Sequence, residues 1–84
     1  MLLYYAGVQI IVTPAVEAQC RARGIDRADI DYALANPQYE TAVKGLPGVR
    51  QIVAHVGRGR LFLKYSKTSE TQGTLVEGYW NPRK

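Results

Sequence analysis

The chain has 84 residues, enough for one domain with a thin core and no more. Hydrophobic residues make up 46% and charged residues 21%, a globular composition that excludes a disordered chain. The single cysteine excludes an internal disulfide, so a reducing cytoplasm is the expected compartment.

The formal net charge of +4 is unevenly placed. Through Thr41 there are three basic and five acidic residues, net −2, and from Ala42 on there are eight basic and two acidic, net +6. A basic half of this kind points to a polyanionic partner, RNA or DNA being the commonest.

The opening residues 1–12 are apolar. They carry no basic residue ahead of the apolar run and no small-residue cleavage site, so a buried strand or strand pair is expected rather than a signal peptide. No apolar run approaches the roughly 20 residues of a membrane helix, and no membrane partner is expected. Thr13 is the expected cap of a first helix, with Pro14 at its first position, Arg23 near its end and Gly24 as its stop. Val16 and Cys20, with Ala15, Ala18 and Ala22, give it a narrow face of small residues.

A second helix starts at the cap Asp26, with Asp29 adding negative charge in its first turn. Ile25 and Ile30 form a hydrophobic staple, and Ile30, Ala33 and Leu34 make the buried stripe. Asn36-Pro37 ends it, because a residue before proline avoids the helical region. The pattern then turns to strands over 39–43, 49–56, 60–66 and 74–80, separated by turn chemistry at 44–48 and Gly57-Arg58-Gly59 and by a polar stretch at 67–73. The expected class is α+β, with two short N-terminal helices packed on a curled antiparallel sheet. Period-two alternation groups Arg60, Phe62 and Lys64 on one side and Leu61, Leu63 and Tyr65 on the other. It likewise separates Arg50, Ile52, Ala54 and Val56 from Val49, Gln51, Val53 and His55.

Thr13-Pro14, Arg23-Gly24-Ile25-Asp26, Asp29-Ile30, Ala33-Leu34 and Asn36-Pro37, followed by Arg60-Leu61-Phe62-Leu63-Lys64-Tyr65 and a final Tyr79-Trp80, resemble a bacterial domain family of unknown function grouped with the BrnT and RelE toxins. The resemblance spans roughly residues 10–80. It implies a RelE-like fold, a metal-independent ribonuclease acting on RNA, and a cognate antitoxin. Ala15 and Gln19 stand where relatives carry a histidine and an arginine. That departure motivates the alternative, a non-catalytic module binding nucleic acid or protein.

A metal-free ribonuclease needs a base near the 2′-hydroxyl, cations on the phosphate and an acid for the leaving oxygen. With one histidine, one cysteine and no ligand spacing, neither a metal nor another cofactor is expected. The catalytic candidates are His55, Arg58, Arg60, Lys64 and Tyr65: Arg58, Arg60 and Lys64 to hold the phosphate, His55 or Tyr65 to move protons. Arg50, Lys67 and Tyr79 are the candidates for binding RNA. A homodimer through the apolar N-terminal strand is a further expectation.

Overall fold

The computed structural model describes residues 2–5, 7–57 and 59–81. Strands come first: β1 (Leu2–Tyr5) and β2 (Val8–Ile11) form an antiparallel hairpin in the register Leu3↔Ile10 and Tyr5↔Val8. Val8, Ile10 and Val12 are buried, so the alternation of this segment is that of a strand with one face in the core.

Helix α1 (Pro14–Ala22) begins where Thr13 Oγ1 accepts the Val16 N–H at 3.3 Å. Gly24, at φ +78°, turns the chain out of it in the left-handed region. Helix α2 (Arg27–Ala35) starts with a reciprocal capping box, in which Asp26 accepts the Asp29 N–H and Asp29 accepts the Asp26 N–H. Four strands follow: β3 (Tyr39–Ala42), β4 (Val49–Val56), β5 (Gly59–Lys67) and β6 (Gln72–Asn81).

All six strands form one sheet in the order β1-β2-β6-β5-β4-β3. Every pairing is antiparallel except β2 with β6, which is parallel. The expected architecture of N-terminal helices on an antiparallel sheet is therefore overturned. Two strands precede the helices, strand outweighs helix by 49% to 24%, and the sheet is a curled half-barrel. The cause is the apolar N-terminal hairpin, which adds itself to β6 and buries Ile10 and Val12 in the common core.

The curl follows from one distance. In a flat sheet β1 and β5 would stand about 14 Å apart, three strand spacings. The rings of Tyr5 on β1 and Tyr65 on β5 are instead 6.0 Å apart, edge to face. The hollow holds both helices, α1 against β6 and α2 against β4 and β1. Cys20, Ile25, Ile30, Ala33 and Leu34 meet Ile52, Ala54, Leu61, Leu63 and Leu75 there. Each fully buried aliphatic side chain of this core contributes roughly 1.5–3 kcal/mol.

Close approach of α1 requires Gly78, where a Cβ would lie 3.0 Å from Leu63 Cδ2 and 3.1 Å from Cys20 Sγ. β2 pairs with β6 only along Gln72–Thr74. Further along β6, Arg23 Nη1 donates to the Gly78 carbonyl at 2.8 Å, which satisfies part of the strand edge. No helix among the described residues is long and apolar enough to cross a membrane.

Candidate functional site

The helices cover one face of the sheet and leave the other open. Strand register arranges the open face in three rows. The middle row is Tyr39, Val53, Phe62 and Tyr79, one residue from each of β3, β4, β5 and β6. Beside it runs a polar row, Thr41, Gln51, Lys64 and Glu77. On the other side His55 pairs with Arg60. Neighbouring rows lie about 7 Å apart along the strands, two residues of rise.

The middle row is apolar although no helix covers it. Val53 is fully buried yet lies outside the helix-side core, between Tyr39 and Phe62. Phe62 and Tyr79 stack with centroids 5.2 Å apart and planes 11° from parallel. Tyr39 stands 48% exposed on the edge strand, so about half of the residue is open to a partner.

Cations flank this row. Lys64 Nζ is 5.6 Å from the centroid of Tyr79 and 3.7 Å from Glu77 Oε1. The Tyr79 hydroxyl donates to Gln51 Oε1 at 3.4 Å. Across Phe62 from Lys64 stands Arg60, whose Nε is buried without a hydrogen-bond partner among the described residues. Exposed His55 is its cross-strand neighbour. Such a surface can stack planar rings along the middle row and hold phosphate oxygens on either side.

Seven of the eight expected site residues lie among the described residues, in three places. His55, Arg60, Lys64 and Tyr79 share the open face. Arg58 lies outside the described residues. Lys67 closes β5 at an exposed position about 24 Å along the strand from Arg60. Tyr65 and Arg50 are on the helix side of the sheet, where both bind Glu40.

Glu40 organises that second cluster. Its Oε1 accepts from the Tyr5 hydroxyl at 2.7 Å, and its Oε2 accepts from Tyr65 at 3.1 Å and from Arg50 Nε. Burial works to raise the Glu40 carboxyl, but hydrogen bonds from Tyr5, Arg50 and Tyr65 and the charge of Arg50 hold it below its ordinary value. Burial, then the charge of Glu40 and the bond to it, push the Tyr65 phenol up to about 12. Tyr65 is thus a poor proton donor near neutral pH, 3% exposed and turned away from Arg60.

Sequence reading missed Tyr39 and Glu77 as parts of the open face, whereas alternation had already grouped Gln51 with Val53 and His55. Alternation already placed Phe62 with Arg60 and Lys64, but assembling the rows needs the cross-strand register. Ala15 and Gln19 are exposed on α1. Among the described residues no three or more His, Cys, Asp or Glu side chains gather to hold a metal ion. Fold and surface define a sheet-dominated half-barrel with one helix-filled face and one open face that carries an aromatic row flanked by Arg60 and Lys64. No family model, no curated protein and no solved structure matches the chain.

Proposed function

We propose that the chain binds single-stranded RNA on the open face of its sheet. The observation that carries this reading is the row Tyr39–Val53–Phe62–Tyr79, with Arg60 on one side of Phe62 and Lys64 on the other. Bases stack on aromatic rings regardless of sequence, while phosphates need cations within a few ångströms of those rings. A duplex keeps its bases inside, so only a splayed strand can use such a row. Thr41 and Gln51, in the adjoining row, supply hydrogen-bonding groups for a 2′-hydroxyl. An RNA ligand and a buried, free Cys20 fit a cytoplasmic setting.

Metal-independent cleavage is a second reading, favoured by the pairing of His55 with Arg60 at one end of the face. His55 would serve as the base and Arg60 would hold the phosphate. A cognate antitoxin belongs with this reading and would cover the same face.

Labelled single-stranded RNA with chelator, at low and moderate salt, tests both. Binding is expected to weaken as salt rises. No binding even at low salt would refute RNA recognition. Cleavage in chelator that disappears in Arg60→Ala and His55→Gln would add the nuclease, whereas a fully active Arg60→Ala protein would remove Arg60 from the chemistry.

A further inference from the structure

Glu77 is the one acidic side chain in the rows of the open face, and it bridges two cations from different elements. Its Oε1 is 3.7 Å from Lys64 Nζ, and its Oε2 is 3.3 Å from Nη1 of Arg23 at the end of α1. Arg23 is anchored independently, because the same Nη1 donates to the Gly78 carbonyl at 2.8 Å. Lys64 is placed by its approach to the Tyr79 ring. Both cations therefore have supports besides Glu77.

We infer that Lys64 and Arg23 form a phosphate clamp that Glu77 occupies in the free protein. The inference rests on the RNA-binding reading and specifies how that site is regulated. A carboxylate bridging two cations offers them what a phosphodiester offers, two oxygens sharing a negative charge. It sits beside Tyr79, where the phosphate of a strand stacked on the middle row would fall. RNA entering the clamp must displace Glu77. The side chains of Glu77, Lys64 and Arg23 are 36%, 24% and 40% exposed, so water can take up the released carboxylate at small cost. The internal carboxylate lowers affinity for any single phosphate and favours strands long enough to hold the other rows as well.

The test measures fluorescence anisotropy of a labelled oligouridylate over a range of salt. The proteins are the wild type, Glu77→Gln, Glu77→Gln with Arg23→Gln, and Tyr79→Leu, each checked for folding by circular dichroism. Glu70→Gln, on an exposed loop residue, controls for net charge. Glu77→Gln is expected to bind about two- to fivefold more tightly, the range an exposed ion pair supports. Its logarithmic salt slope should match that of the wild type, because displacing Glu77 already gives the wild type the same phosphate contact. Adding Arg23→Gln should remove that gain, and Glu70→Gln should leave binding unchanged. If Glu77→Gln binds no more tightly than the wild type, or Glu70→Gln tightens binding equally, the clamp is wrong. Loss of binding in Tyr79→Leu would then leave the RNA face standing. Failure of every protein, wild type included, to bind would overturn both.

Discussion

Tyr5 and Glu40 lie on β1 and β3, the two opposite edge strands of the sheet, yet the Tyr5 hydroxyl donates to Glu40 Oε1 at 2.7 Å. In a flat six-stranded sheet those edges would be about 24 Å apart. The bond therefore clasps the half-barrel across its opening, with Tyr65 and Arg50 holding the second carboxylate oxygen. Tyr5→Phe keeps the ring against Tyr65 and removes only the donor. It should cost about 1.5–3 kcal/mol, as for a hydrogen bond to a charged group. Thermal melting should show the loss, and hydrogen exchange should show it first in β1.

The same clasp sets two pH limits. The folded state holds Glu40 below its ordinary value of 4.5, so it favours the ionised form. The resulting stability is fully present above about pH 4.5 and is lost as pH falls through the lowered value. Tyr65 is raised from 10.0 to about 12, so its contribution is complete below pH 10 and is lost as pH rises toward 12. Urea melts of Glu40→Gln should show a shallower acid limb than the wild type. An unchanged acid limb would remove Glu40 from that linkage.

Gly78→Ala tests the close seating of α1. The new methyl would crowd Leu63 and Cys20, and overpacking of this kind costs about 1–3 kcal/mol. Cys20→Ala should recover part of the loss in the double variant, because it removes the sulfur at 3.1 Å. Denaturation midpoints of the two single variants and the double variant give the coupling. Simple additivity would mean the sulfur is not the obstacle.

On the open face, Tyr39→Ala should weaken RNA binding by about 1–3 kcal/mol, the worth of one stacked base. The fold should survive, since Tyr39 is half-exposed on an edge strand. Lys64→Gln should instead flatten the salt dependence by about 0.7 in logarithmic slope, having removed one phosphate contact. Titrations at several salt concentrations separate the two effects.

Features governed by near neighbours in the chain were legible in the sequence. Thr13 and Asp26 cap their helices because a side-chain oxygen needs only an N–H three residues on. Gly24 and Asn36-Pro37 mark helix ends for equally local reasons. Alternation also separated Arg60, Phe62 and Lys64 from Leu61, Leu63 and Tyr65, because neighbouring side chains on a strand point to opposite faces.

Pairings between distant segments were decided only by the tertiary structure. Nothing local distinguishes a β2 that joins β6 in parallel from one that stays apart. That contact turned an expected helix-led fold into a six-stranded half-barrel. Curling then carried Tyr5 to Glu40, 35 residues away, while the register of β3, β4 and β5 set Arg50 and Tyr65 beside the same carboxylate and left Tyr79 beside Phe62 and Lys64 on the other face. The sequence by itself determined the elements, their caps and the composition of each strand face, since these depend on neighbours within about four residues. The tertiary structure alone decided which faces meet, because strand register and sheet curvature are set by burial of the whole core.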